Sequence, residues 1–496
     1  MKIKSILIAN RGEIAIRIAR TARKMGIKTF MFLTHEEPNA NYLKHADEII
    51  DVSEETFYNI FTNIDKIIES ALKYNIDAIH PGYGFLSENP ALARECKHNN
   101  IVFIGPSDKH IDQMGNKGVA RDIAIKNNVP VLPGSTGIIT SQTEAEKTAA
   151  SIGYPVIIKA VAGGGGKGMR VARNKEELPR MFNAASKEAM SIFGNAAVFI
   201  EKYVENPRHI EFQVLADQHG NVVHLFEREC SIQRKHQKLL EEAPSPALDE
   251  ATRERMGRDA IKLCKATGYY SVGTVEFLVD EHLNHYFMEM NTRIQVEHPV
   301  TEEITGVDLI EQQIRVADGE KLSLAQKDIK LKGCAIEFRI NAENVQSDFS
   351  PENGILEKIK FPSKRRVRVD AGYVDGDIIP SCYDSLVAKL IVKGSDRKSA
   401  LKTAISAING IQIKGVKTTL PFFKMVLNNN SFRDGVYSTA FIEKELEQNF
   451  YQEDNEMVAA ILLGMTEYLN EIESIDHAEI REKNVSPWLF SRFLKK

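Results

Sequence analysis

The sequence predicts a mixed α/β and α+β protein, with an N-terminal α/β domain, a small mobile lid and a large C-terminal α+β domain. Three observations predict this. Strand and helix patterns alternate from the first residues, a glycine run interrupts two strand-like segments near residue 160, and strands and helices alternate from Val204 to about Leu446 without a repeat. A chain of 496 residues has room for roughly three domains.

The first domain opens with a short apolar strand, Ser5 to Ala9, followed by apolar residues at helical spacing from Ile14 to Met25 and a second strand from Lys28 to Leu33. A helix over Ile64 to Lys73 and strands at Ala78 and Ile79 and at Ile101 to Ile104 continue the pattern, so the sheet is mainly parallel. The turn formers from Pro130 to Gly134 read as a linker, and Tyr154 to Ala160 with Arg170 to Ala172 flank the glycine run as lid strands. Beyond Glu453 the spacing of Met457, Ala460, Ile461, Leu463 and Met465 predicts a helix, followed by an apolar tail carrying Trp488, Phe490 and Phe493. The boundaries are therefore 1–116, 117–204 with a lid over about 131–204, 205–446, and a helical apolar extension over 447–496.

A formal net charge of −4 carries none of the basic footprint of a nucleic-acid binder, so an anionic substrate has to be held by local charges. The five cysteines are scattered without metal-ligand spacing and read as reduced thiols. The five-residue apolar stretch before Asn10 is too short for a secretory or membrane segment. No membrane association is expected, and the location expected is cytoplasmic.

Gly163 to Gly166, followed by Lys167 and Gly168, remove side chains where backbone N–H groups can approach phosphates; a plain hairpin tip is the alternative reading. Lys159, at the end of the strand before that run, and Lys117, in a second loop, can face the same anion or simply be solvated. Glu276 and Glu289 each sit alone among apolar residues in strand-like segments, where an unpaired carboxylate is costly. With Asn291 on the same face as Glu289, they supply the oxygen ligands magnesium takes beside phosphates, or else each pairs with a lysine. Arg293, Gln295 and Glu297 alternate, and as a strand they point to one side, bringing a base beside an anion-holding fork; a solvated charged face is the alternative. His209, Gln233, His236 and Lys238 lie in polar clusters suited to ribose or phosphates and poorly suited to zinc.

Taken together these segments resemble the biotin carboxylase family of the ATP-grasp superfamily over about residues 3 to 445. The resemblance rests on Ile8 to Ala15, His80 to Asn89, the glycine run ending at Arg170, Glu201 to His209 and Met288 to Glu302. It implies an N-terminal biotin carboxylase domain, a lid and a C-terminal ATP-grasp domain. ATP would be bound by Lys117, Lys159, Gly164, Gly165, Gly166, Glu201, Lys202, Val204, His209, Gln233, His236, Glu276, Leu278 and Glu289. Glu276, Glu289 and Asn291 would hold magnesium or manganese, with two ions expected. Lys238, Arg293, Gln295 and Val296 would hold bicarbonate, Glu297 would be the base, Arg339 would stabilise the biotin enolate, and Tyr83 would line the biotin pocket.

The implied activity is ATP-dependent carboxylation of biotin on a carrier protein, through carboxyphosphate. No biotin-attachment motif is evident, so the implied partners are a biotin carboxyl carrier protein or domain, a carboxyltransferase and a second copy of the chain. The final acceptor belongs to the carboxyltransferase; acetyl-CoA or propionyl-CoA is the expectation, with the 447–496 extension docking on a neighbouring subunit or on its own domain. An inactive regulatory paralogue is the alternative, and retention of Glu276, Glu289, Arg293, Glu297 and Arg339 argues against it. The chain departs from the family pattern at 34–41 and at 438–441, away from the expected metal, bicarbonate and biotin residues.

Overall fold

A computed structural model of the chain describes residues 2–54, 59–135, 137–160, 169–235, 237–446 and 462–467. The glycine run at 163–168, His236 and all of the expected extension except a helical turn at 462–467 lie outside the described residues. Met1–Leu446 and Glu447–Lys496 are separate compact units.

The N-terminal sheet contains β1 (Ser5–Ile8), β2 (Lys28–Leu33), β3 (Glu48–Asp51), β4 (Ala78–His80) and β5 (Val102–Phe103). All are parallel, in the order β3-β2-β1-β4-β5. The central strand is buried on both faces, which is why Ile6, Leu7 and Ile8 form an unbroken apolar run. The strand order reverses between β1 and β4, and the loops leaving their C-terminal ends meet there, where open parallel sheets place ligands. Asn10 joins these loops by donating from Nδ2 to the carbonyls of Pro81 and Tyr83, each at 2.7 Å.

The lid body consists of the antiparallel strands β6 (Val156–Ala160), β7 (Met169–Ala172) and β8 (Val198–Lys202), with helices Gln142–Ile152 and Leu178–Phe193. Val156, Ile158, Phe182, Val198 and Ile200 give it a core of its own. Its leading segment is tied to the large sheet, because the Pro130 carbonyl accepts from Phe287 N at 2.7 Å.

The large antiparallel sheet contains β9 (Arg208–Ala216), β10 (Val222–Arg234), β11 (Gln237–Ala243), β12 (Ser271–Val279), β13 (His285–Asn291) and β14 (Cys334–Asn341). Two further strands complete it, giving the order β13-β12-β9-β10-β11-β14-(Leu386–Gly394)-(Val367–Ala371). Period-2 alternation assigns its faces. Ile210, Phe212, Val214, Val275 and Phe277 pack beneath helix Glu250–Thr267, against Met256, Ala260 and Leu263. Their neighbours His209, Glu211, Gln213, Thr274 and Glu276 face the other way. A second apolar cluster joins the N-terminal sheet to this one through Ile6, Ile8, Leu215, Val272, Ile294 and Ile310.

The expected strand over Arg293, Gln295 and Glu297 is not formed. The ladder ends at Asn291, and the chain turns into helix His298–Thr305, in which Pro299 occupies the first turn and Glu297 is the N-cap. The departure at 34–41 has a local role: buried Glu37 accepts from Arg11 Nε at 2.5 Å, and the Arg11 guanidinium lies 4.4 Å from the Tyr383 ring centre. No described helix is long and apolar enough to cross a membrane.

Gly82 tests the junction between the two sheet loops. Its φ is +63°, and a Cβ there would stand 2.8 Å from Asn10 Nδ2. Gly82→Ala is expected to cost about 1–2 kcal/mol from the left-handed backbone alone and to lower the urea midpoint of unfolding; an unchanged midpoint would contradict this role.

Candidate active site

The register of the large sheet places Glu289, Glu276, Glu211 and Arg228 side by side on β13, β12, β9 and β10. Like charges directly opposite one another on neighbouring strands are destabilising. At about 5 Å and an effective dielectric near 20, each carboxylate pair would repel by roughly 3 kcal/mol. The row therefore needs cations, and they converge on it. Arg228 is fully buried and donates to Glu211 Oε1 at 2.5 Å, Gln213 Oε1 at 2.6 Å, Thr301 Oγ1 at 3.0 Å, Thr274 Oγ1 at 3.1 Å and Gln295 Oε1 at 3.0 Å.

Lys238 rises from β11 into the middle of the row. Its ammonium lies 2.5 Å from Glu211 Oε2, 3.0 Å from Glu276 Oε1 and 2.8 Å from Glu297 Oε1. Burial opposes its charge, yet Glu211, Glu276 and Glu297 hold its pKa well above the usual lysine value. Burial likewise opposes ionisation of Glu297, but Lys238, Arg339 and Arg228 keep its carboxyl well below the usual carboxylate range. Glu276 is held low against burial by Lys238 and His209. His209 Nε2 meets Glu276 Oε2 at 2.9 Å, and this contact raises the imidazole pKa although burial works against it.

The far end of Glu297 meets Arg339. Arg339 Nη2 donates to Glu297 Oε2 at 2.9 Å and also pairs with Glu241. Burial pushes the Glu241 carboxyl up to about 7, with Arg339 pulling the other way. Thus Lys238, Glu297 and Arg339, widely separated in sequence, form one continuous chain of contacts.

Arg293 donates from Nη2 to Asn291 Oδ1 at 3.0 Å and from Nε to Glu88 Oε2 at 2.8 Å. Gln295 Nε2 donates to Glu276 Oε1 at 3.1 Å, while its oxygen accepts from Arg228. The Val296 carbonyl accepts from Lys389 Nζ at 2.8 Å. Gln233 Nε2 lies 3.5 Å from His209 Nδ1, and half-buried Leu278 is the cross-strand partner of His209.

Around the lid, Lys159 Nζ pairs with Glu201 Oε2 at 2.6 Å and Arg121 Nη1 with Glu201 Oε1 at 3.4 Å. Lys202 turns its ammonium to the carbonyls of Gly153 and Tyr154 at 3.1 and 2.7 Å. Val204, half-buried, lies two residues beyond the end of β8. The Tyr83 hydroxyl donates to Glu13 Oε1, and Lys389 Nζ lies 6.0 Å from the Tyr83 ring centre. Gly164, Gly165, Gly166 and His236 lie outside the described residues.

Glu211, Arg228 and Glu88 are the residues that sequence reasoning missed. A weak signal existed for the first: His209, Glu211 and Gln213 alternate along one strand as Glu276 does along another.

The expected metal ligands fit a hard divalent cation. Glu276 and Glu289 are direct cross-strand partners, and Asn291 Nδ2 bonds Glu276 Oε1 at 2.9 Å, so their side chains converge with oxygen donors available. Both carboxylates also realise the ion-pair alternative, Glu289 with Lys117 at 2.9 Å and Glu276 with Lys238. The two readings share a cause, since carboxylates gathered on one face attract whichever cation is supplied.

Comparison with known proteins matches this architecture. Family models match at residues 2–111 (biotin carboxylase, N-terminal domain), 116–325 (carbamoyl-phosphate synthase L chain, ATP-binding domain) and 337–444 (biotin carboxylase C-terminal domain). The chain is 50% identical to a biotin carboxylase of Nostoc over 444 residues, covering 90% of this chain and 99% of that protein. The chain belongs to the biotin carboxylase family. The chain is also 49% identical to a pyruvate carboxylase subunit of Methanothermobacter thermautotrophicus, over 91% of this chain and 93% of that protein. Among solved structures it resembles the biotin carboxylase domain dimer of Hydrogenobacter thermophilus 2-oxoglutarate carboxylase, in complex with MgADP, ADP and bicarbonate. The TM-score is 0.86 at 46% identity, covering 91% of this chain and 99% of that one. A Campylobacter jejuni biotin carboxylase complex with a β-γ-ATP ligand gives 0.85 at 45% identity, over 90% and 99%. As a member of this family, the biotin carboxylase is an ATP-dependent ligase.

Arg228→Met removes a buried cation from the row and leaves Glu211 to Lys238 alone. It is expected to destabilise the fold by about 3–5 kcal/mol, read as a lower denaturant midpoint, with part of the loss recovered in Arg228→Met/Glu211→Gln. A wild-type midpoint in the single variant would contradict this.

Proposed function

We propose that this biotin carboxylase performs its reaction with Glu297 as the base for bicarbonate, Lys238 and Arg293 as its anion holders, and Arg339 as the cation for the biotin enolate. The single observation that carries the reading is the continuous contact of Lys238, Glu297 and Arg339 on one face of the large sheet. Bicarbonate is a weak nucleophile, so deprotonation, alignment with the γ-phosphate and charge neutralisation are what the protein has to supply.

Bicarbonate takes contacts from Lys238, Gln295, Val296 and Arg293, the last presenting a planar fork. Glu297 accepts its proton as an oxygen forms the bond to the γ-phosphorus and ADP leaves. Glu276, Glu289 and Asn291 hold magnesium or manganese, which neutralises charge on the phosphates. Lys117, now on Glu289, and Lys159, now on Glu201, are long enough to turn toward the nucleotide. Glu201, Lys202, Val204, Leu278, His209 and Gln233 complete its contacts, with His236 and Gly164 to Gly166, outside the described residues, as the remaining expected ATP residues; exclusion of water would protect carboxyphosphate.

Carboxyphosphate then splits to carbon dioxide and phosphate, the phosphate takes the ureido proton of biotin, and the resulting enolate attacks carbon dioxide. Arg339 stabilises that enolate, with Tyr83 beside it. At about 4 Å and an effective dielectric near 20 the attraction is roughly 4 kcal/mol, or about a thousandfold in rate if it arises only in the transition state.

The biotin arrives on a carrier protein or domain, the carboxylated product passes to a carboxyltransferase, and the chain works as a homodimer, as in the Hydrogenobacter structure. The final acceptor is set by the carboxyltransferase, and an acyl-CoA is the one we favour. Pyruvate or 2-oxoglutarate, which name other relatives, is the alternative, and assay of the co-purified carboxyltransferase with each acceptor decides it.

Purified protein with ATP, magnesium and bicarbonate is expected to hydrolyse ATP faster when free biotin is added and to form carboxybiotin. Tight ATP binding without turnover, even with carrier protein supplied, would favour the inactive paralogue. Arg339→Ala is expected to abolish most biotin carboxylation while leaving ATP binding intact; equal loss of both would count against the enolate role.

A further inference from the structure

Lys389 lies on strand Leu386–Gly394 directly opposite Arg339, and its side chain is 0% exposed. Burying an ammonium is costly, so it persists only where its contacts repay the desolvation. Among the described residues it has two close polar contacts: the Val296 carbonyl oxygen at 2.8 Å and Glu13 Oε1 at 2.9 Å.

The first contact reaches the catalytic segment through its backbone. The Val296 carbonyl belongs to the peptide that joins Val296 to Glu297, so its orientation sets where the Glu297 side chain leaves the chain. That segment is an irregular turn, not a strand, with no ladder to hold it. The next regular element is the helix for which Glu297 is the N-cap, and Glu297 offers no side-chain cap to that helix because its carboxylate is committed to Lys238 and Arg339.

The second contact anchors the ammonium. Glu13 lies in the first turn of helix Gly12–Lys24 and also accepts from the Tyr83 hydroxyl, so Lys389 is held from the N-terminal sheet side while it holds the turn. A single buried cation thereby bridges the loop bearing Tyr83 and the peptide bearing Glu297.

We propose that Lys389 is a positioning residue for bicarbonate activation: its ammonium pins the Val296–Glu297 peptide and so aims the Glu297 carboxylate between Lys238 and Arg339. The inference rests on the reading of Glu297 as the base. Lys389 touches no reacting atom, and its effect is transmitted through one carbonyl.

The test must separate positioning from the strain of leaving Glu13 unpaired. Lys389→Met removes both contacts, and Lys389→Met/Glu13→Gln removes them while neutralising the stranded carboxylate. The double variant therefore carries the test even where the single one does not fold. Both are assayed for biotin-dependent ATP cleavage, with KM and kcat/KM for bicarbonate and for ATP measured separately, beside Glu297→Gln. The double variant is expected to keep the KM for ATP and to lose about a hundredfold in kcat/KM for bicarbonate, the scale of a small misplacement of a catalytic group. Wild-type kcat/KM for bicarbonate in the double variant, or a KM for ATP that rises as steeply as kcat/KM for bicarbonate falls, would overturn the proposal. Full activity in Glu297→Gln would instead remove the base assignment, whatever the Lys389 variants do.

Discussion

Three carboxylates on three adjacent strands are the constraint on which the rest of the site depends. Glu289, Glu276 and Glu211 lie in one lateral row, the last two buried and Glu289 half-buried at its outer end. Such a row folds only if cations are brought to it, and each cation comes from a different part of the chain: Lys117 ahead of the lid, Arg228 from the neighbouring hairpin strand, Lys238 from the strand beyond it. The cost of burying charge has been turned into a surface that holds positive charge at fixed points. In the proposed reading a divalent cation would take over the carboxylate that Lys117 now holds, leaving that ammonium to turn to the anionic substrate.

The same economy shapes the two ends of the site. On one side Lys117 and Lys159 are paired to the carboxylates of Glu289 and Glu201. On the other, Glu297 is shared between Lys238 and Arg339, so the proposed base and the proposed cation for the enolate are in direct contact. The low pKa of Glu297 belongs to that shared state. An anion inserted between Glu297 and Lys238 would draw on the ammonium, weakening its hold on the carboxylate and making Glu297 a better proton acceptor at the step that needs one.

Much of this was legible in the sequence, and what was not has a physical reason. The first sheet was readable because its strands are short, unbroken apolar runs separated by a helix of clear period, as in Lys28–Leu33 and Ile64–Lys73. Glu276 and Glu289 stood out because a single charge inside an apolar strand has no inexpensive explanation. Glu211, Arg228 and Glu88 did not stand out, since their roles depend on which strands lie side by side, and composition carries no register. Glu13 and Lys389 are separated by most of the chain, and nothing local in either segment names the other. The stretch from Arg293 to Glu297 was misread as a strand because alternation of polar residues was weighed above the helix start that Pro299 imposes. Its outcome was partly preserved, since Gln295 and Glu297 are both buried in the site while Arg293 remains at its rim.

The most direct test of the account is the fate of bicarbonate oxygen. With uniformly ¹⁸O-labelled bicarbonate, ATP, magnesium and free biotin, attack on the γ-phosphorus predicts one ¹⁸O atom in each inorganic phosphate released during biotin carboxylation, because the bridging oxygen of carboxyphosphate stays with phosphorus. Phosphate released without label while carboxybiotin accumulates would contradict it, and with it the assignment of this row of charges to the activation of bicarbonate.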